Sequence, residues 1–145
     1  MPDLRVESIQ PDTLADAYPL VRSATRVTLE RWTEYGAELL GSGGGVLAVK
    51  APDDCIHGVA AFRPGCDLRY KASLDVDVFV AFDLRGDDRV RRALQGALER
   101  TADELGCDTV NYTVPGKNAD PASAARAGLE RMGLRLDTAR FVRER

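Results

Sequence analysis

Apolar and polar positions alternate from Ser73 to Phe82, in the run SLDVDVFVAF. A period of two predicts a strand with Leu74, Val76, Val78, Val80 and Phe82 on one face and Asp75, Asp77, Phe79 and Ala81 on the other. The period then changes. Val90, Leu94, Ala97, Leu98, Thr101 and Leu105 recur at spacings of three and four, which predicts a long amphipathic helix ended by Gly106. Only the short DLRG turn separates the two. A strand feeding a helix in this way aims the helix's unpaired N–H groups and the positive end of its dipole at one spot, a natural seat for phosphate.

The same patterning orders the rest of the chain. Leu4, Val6 and Ser8 predict a first strand. Pro11-Asp12-Thr13 opens a helix capped by Asp12 or Thr13, with Leu14, Ala17, Tyr18 and Val21 on one face, and Pro19 predicts a kink or early stop. A second helix is expected from about Thr25 to Leu40, with Leu29, Trp32, Gly36 and Leu39 inward; two helices here suggest one wall of a cleft. The run Gly41-Ser42-Gly43-Gly44-Gly45 precedes a strand and lacks a following Lys-Ser or Lys-Thr, so it reads as a flexible connection rather than a phosphate loop. Residues 46–50 and 57–63 predict an antiparallel hairpin. Residues 108–114 predict a strand, Asp120-Pro121 a helix start ahead of Ala122, Ala125, Leu129 and Met132, and residues 135–145 a last strand or two. The expected fold is one domain over residues 1–145, of the α/β (α+β) class, with a mixed parallel and antiparallel central sheet flanked by helices on both faces.

Composition adds exclusions. With 145 residues, 30% of them charged and a net charge of −3, the chain lacks the basic excess of a general nucleic-acid binder. No apolar run suits a membrane span or a signal peptide. Cys55, Cys66 and Cys107 are odd in number and widely spaced, which predicts reduced thiols and a cytoplasmic setting, with no metal site. His57 is the sole histidine and is expected to be structural.

The element order and central residues resemble the Gcn5-related N-acetyltransferase family, whose members transfer acyl groups from acyl-coenzyme A to amines. In that family the central strand ends in a pattern close to V-x-P-x-[YL]-R-G-x-G-x-[GA]. Val80, Leu84, Arg85 and Gly86 match it, whereas Asp88 stands in place of the first cofactor-loop glycine and Val90 in place of the second small residue. The resemblance implies acetyl-CoA or another acyl-CoA as cofactor. Its pantetheine arm would meet the backbone of Phe79 and Val80, and its pyrophosphate would sit over Arg85, Gly86, Asp88, Arg89, Val90 and Arg91. Asp87 and Asp88 at this turn equally suit plain capping of a helix N-terminus.

The family's second signature is an asparagine followed by a helix ending L-Y-x-x-x-G-F, whose tyrosine can protonate the departing thiolate. Asn118 and Gly133 keep the frame, but Leu129 replaces the tyrosine. Tyr112, on the neighbouring strand, is the substitute if it faces the cleft, and otherwise a sheet residue. For the general base that must deprotonate an ammonium, Asp77 is preferred over Asp75, against a plain solvated sheet face. Trp32, Tyr35 and the glycine run would shape the acceptor side, for a small-molecule amine or for a protein N-terminus or lysine. Loss of the loop glycines and of the tyrosine would also suit an inactive binding or structural domain. The short C-terminus, which leaves a sheet edge open, predicts a homodimer.

Overall fold

Five strands form one sheet in chain order: β1 (Arg5–Ser8), β2 (Gly45–Lys50), β3 (Ile56–Gly65), β4 (Ser73–Ala81) and β5 (Thr109–Tyr112). The first four run antiparallel to their neighbours, and β4 pairs with β5 in parallel. Helix α3 (Arg89–Leu105) makes the crossover that a parallel pair requires. This computed structural model describes residues 3–83 and 86–145. They fall into two compact units, one up to Thr113 and one from Val114 to Arg145.

In the first unit, helices cover both faces of the sheet. Leu47, Val49, Ala60, Leu74 and Val76 bury one face against Val90, Leu94, Leu98 and Ala102 of α3. Val46, Ala48, Val59 and Ala61 bury the other against Leu14, Val21, Trp32 and Leu39, from the 3₁₀ turn Pro11–Ala17 and helices α1 (Tyr18–Thr25) and α2 (Leu29–Gly41). Each large side chain so buried is worth about 1.5–3 kcal/mol.

Local chemistry sets the boundaries. Pro19 neither kinks nor stops α1; it lies in the first turn, where a missing N–H costs nothing. Arg26, left-handed at φ 60°, ends α1, and the Thr28 side chain caps α2 by accepting from the Arg31 N–H. The helix expected from Thr25 therefore starts at Leu29. On α3 the inward stripe ends in Ala102 rather than Leu105, which is half exposed. The glycine run is a fitted turn, not a flexible connection. The Gly44 N–H donates to Leu39 O, and a Cβ on Gly44 or Gly45 would lie 2.5 Å from the Phe62 backbone oxygen or ring.

The second unit holds a 3₁₀ turn (Gly116–Ala119) and the two-turn helix α4 (Ala124–Arg131). Asp120 does not cap this helix. Its carboxylate accepts from the Ala122 N–H to shape a turn, and Ser123 caps instead by accepting from the Arg126 N–H at 3.0 Å. No strand forms over residues 135–145, and Phe141 and Val142 are exposed. A strand needs a partner strand for its backbone polar groups, and none pairs with these residues among the described ones.

Candidate active site

The site is organised by an irregularity in β4. Phe62 of β3 faces Val76 and Ala61 faces Val78, so Asp77 is one residue too many. Such a bulge bends the strand and inverts its alternation. Asp77 and Val78 therefore both turn to the α1/α2 face, where Asp77 meets Tyr35 and Val78 joins the core. Beyond the bulge Phe79 and Ala81 join Leu74 and Val76 on the α3 face. The uninterrupted alternation expected for this strand, with Val78 beside Val76 and Phe79 opposite, is thus corrected.

The bulge coincides with a parting of the sheet. β5 pairs with β4 only from Ser73 to Val76, and the last bond runs from Thr113 N–H to Val76 O at 2.9 Å. From Asp77 onward β4 has no strand on that side among the described residues. The Phe82 N–H donates to His57 O on β3 at 2.8 Å. By alternation the polar groups of Val80 also face β3, and those of Phe79 and Ala81 point into the opening. Of the two residues expected to offer backbone groups there, Phe79 borders the gap and Val80 is turned away.

Across the gap the Phe79 and Tyr112 rings meet edge to face, with centroids 5.3 Å apart. The Tyr112 hydroxyl is buried and has no hydrogen-bond partner among the described residues. Burial, and secondarily the charge of Glu99, holds its proton well above the usual tyrosine range. A buried hydroxyl without a partner is costly, and such groups occur where a ligand completes the site.

The turn after β4 is partly retained and partly filled. Gly86 and Asp88 both take left-handed backbone, φ 65° and 58°, so Asp88 keeps a conformation that glycine adopts without strain. Neither Asp88 nor Asp87 caps α3 as a first choice. Asp83 does so, accepting from the Val90 N–H at 2.7 Å and the Arg91 N–H at 3.4 Å, while Asp87 accepts from the Arg89 N–H. The first donors of α3 are thus already engaged, which corrects the expectation that they alone would seat a phosphate. Arg91 pairs with Asp88 at 3.1 Å and the Arg92 guanidinium donates to Asp87 O. The buried Val90 packs into the α3 core rather than projecting into the turn. Arg85 and Leu84 lie outside the described residues.

On the α1/α2 face, Asp77 Oδ2 accepts from Arg63 at 2.5 Å and from the Tyr35 hydroxyl at 3.2 Å. These bonds to Tyr35 and Asp77 hold the Arg63 guanidinium above its usual pKa, and burial followed by the Asp77 charge raises that of Tyr35. Tyr35 stacks on Trp32, whose indole N–H is fixed to Leu14 O at 2.7 Å. Asp75 is not available as a base. Its Oδ1 accepts from Ser73 and Asn111, and its Oδ2 lies under Gly65, where a Cβ would clash at 2.2 Å. In the second unit, Asn118 sits in the 3₁₀ turn and Leu129 in α4.

Where β4 and β5 part, Phe79 and Tyr112 lie on the α3 face of the sheet and Asp77 on the α1/α2 face, with the Gly86–Arg91 turn following β4. Sequence reasoning missed Asp83 and Arg63. An acid at the end of a strand, a few residues before a helix, was the available signal for the first. No signal pointed to the second. The open backbone of Phe79 and Ala81 fits the amide-rich arm of coenzyme A. Among the described residues no group of three or more His, Cys, Asp or Glu is placed to hold a metal ion.

No family model and no curated protein sequence matches the chain. Solved structures do. An aminoglycoside N-acetyltransferase, AAC(6')-Iy in complex with CoA, superposes with a TM-score of 0.80 at 15% identity, over 100% of this chain and 97% of its own. A ribosomal-protein-alanine N-acetyltransferase from Brucella melitensis biovar Abortus 2308 gives 0.76 at 17%, over 98% and 99%. A transcriptional regulator from Bacillus halodurans C-125 gives 0.75 at 11%, over 98% and 99%. At these identities the likeness establishes the fold, which is that of the Gcn5-related acetyltransferases.

Proposed function

We propose that the protein is an N-acetyltransferase of the Gcn5-related family, moving an acyl group from acyl-CoA to an amine. The observation that carries this reading is the Asp77 bulge. It ends β4–β5 pairing, frees backbone groups of Phe79 and Ala81, and does so one turn before a phosphate-type strand-to-helix junction.

Bound acyl-CoA would supply the activated thioester. Phe79 and Ala81 would hold its pantetheine amides, with Val80 and Val90 keeping the walls of the junction in place. The turn around Gly86 and Asp88 and the side chains of Arg85, Arg89 and Arg91 would hold its phosphates, Arg91 exchanging Asp88 for phosphate. Asp77, hydrogen-bonded by Arg63 and Tyr35, draws in the acceptor ammonium and takes its proton, directly or through a water. The neutral amine would then take the acyl group from the bound thioester, its second proton leaving to solvent as the amide forms. Tyr112 returns a proton to the departing thiolate, a role suited to a hydroxyl that stays protonated far above neutral pH. The acceptor is a small-molecule amine or a protein N-terminus or lysine. A cytoplasmic homodimer completes the reading. No helix among the described residues is long and apolar enough to cross a membrane.

The test is release of free CoA thiol from acetyl-CoA in the presence of an amine panel. Wild-type protein releases thiol with at least one acceptor, and Asp77→Ala abolishes it. Equal release by wild-type and Asp77→Ala overturns the assignment of the base.

A further inference from the structure

The Asp77 cluster carries both signs of charge in one place. Arg63 reaches Asp77 and Tyr35 through a single nitrogen, Nη2. A guanidinium has five N–H donors in a rigid fork. Among the described residues, Nε and Nη1 of Arg63 make no hydrogen bond, and the side chain is 49% exposed. Its cross-strand neighbour Asp75 is already satisfied by Ser73 and Asn111, which leaves Arg63 turned toward Asp77. One edge of the fork is therefore open beside a carboxylate that is itself 31% exposed. Tyr35, braced by its stacking on the buried Trp32, stands next to both.

We infer that the acceptor is a small zwitterion of amino-acid type, its carboxylate taken by the open edge of Arg63 and its ammonium by Asp77. It holds if the site transfers acyl groups, as proposed above, and narrows the acceptor within that function. The two side chains nearly neutralise each other. A lone ammonium meets Arg63 as well as Asp77, and a lone carboxylate meets Asp77 as well as Arg63. Only a ligand with both groups close together finds a partner for each, and fork geometry favours a planar carboxylate. A lysine side chain or a protein N-terminus lacks the adjacent carboxylate and leaves the Arg63 edge unfilled.

The experiment compares proteinogenic amino acids with the matching amino-acid amides, which keep the amine and lose the negative charge. Acetyl transfer is read as kcat/KM, and binding to the CoA-loaded protein is read separately by saturation-transfer NMR. At least one amino acid exceeds its amide by about tenfold or more in kcat/KM, since a charged bidentate contact is at stake. Arg63→Met brings acid and amide to within about twofold, and Arg63→Lys restores only part of the gap. Transfer to amides as fast as to acids overturns the inference and leaves acetyl transfer standing. Transfer to nothing counts against acetyl transfer itself, and the NMR arm still decides. Saturation of an amino acid but not its amide supports the zwitterion site, and equal or absent saturation of both overturns it.

Discussion

The Asp83 carboxylate accepts a hydrogen bond from the Val90 N–H at 2.7 Å, so helix α3 starts out capped by an acid two residues past the end of β4. The cap fixes the junction geometry and occupies the first donors of α3, so the proposed phosphate contacts fall to the turn and its arginines. Asp83→Ala lowers stability by about 1 kcal/mol, the usual cost of a lost N-cap, as read by urea denaturation.

Asp88 holds a left-handed backbone and a carboxylate within the turn proposed to hold phosphate. Asp88→Gly removes both the strain and the like charge, at the cost of a partly exposed ion pair with Arg91 worth about 0–1 kcal/mol. Stability stays within about 1 kcal/mol of wild type, and acetyl-CoA binds about fivefold more tightly in calorimetry.

Tyr112→Phe separates two roles of one hydroxyl. Because that group lacks a partner, its removal leaves urea stability unchanged or improves it. As the proton donor to the thiolate, its loss lowers kcat by about 100-fold. The raised pKa also sets a pH dependence. The neutral form is favoured in the folded state, so its contribution is fully present below the ordinary tyrosine value of about 10 and drains as pH rises toward the folded value. Tyr112→Phe melts less steeply with pH above that point.

Gly36 lets α2 approach the 3₁₀ turn, since a Cβ there would stand 2.6 Å from Leu14 Cδ2. Gly36→Ala overpacks this contact and costs about 1–3 kcal/mol by urea denaturation, with the fold retained by circular dichroism.

Much of the fold was legible because most elements obey one period each. The stripe Val90-Leu94-Ala97-Leu98 can only be a helix face, and the apolar runs of residues 46–49 and 57–62 can only be buried strands. Asp77 shows where such reading stops. Nothing in SLDVDVFVAF marks an extra residue, because the bulge is set by register against Phe62, which lies on another strand. That one slip decides that Phe79, not Val80, offers its backbone to the gap. Asp83 was hidden for a related reason: Asp87 and Asp88 are nearer in sequence, but the backbone turn aims the more distant acid at α3. The strand expected over residues 135–145 did not form, since a strand needs a partner that the local sequence does not supply.

β5 is a four-residue edge strand, and the exposed Phe141 and Val142 of the second unit need cover. Light scattering on the eluting protein is expected to give twice the chain mass. A single chain mass across the micromolar range removes the dimer.

Acyl-CoA dependence is tested most directly by calorimetric titration with acetyl-CoA, for wild-type protein and Arg89→Glu side by side. Saturable micromolar binding that weakens at least tenfold in Arg89→Glu is the predicted result, since one phosphate partner becomes a like charge. No heat from wild-type protein at high micromolar cofactor contradicts the account.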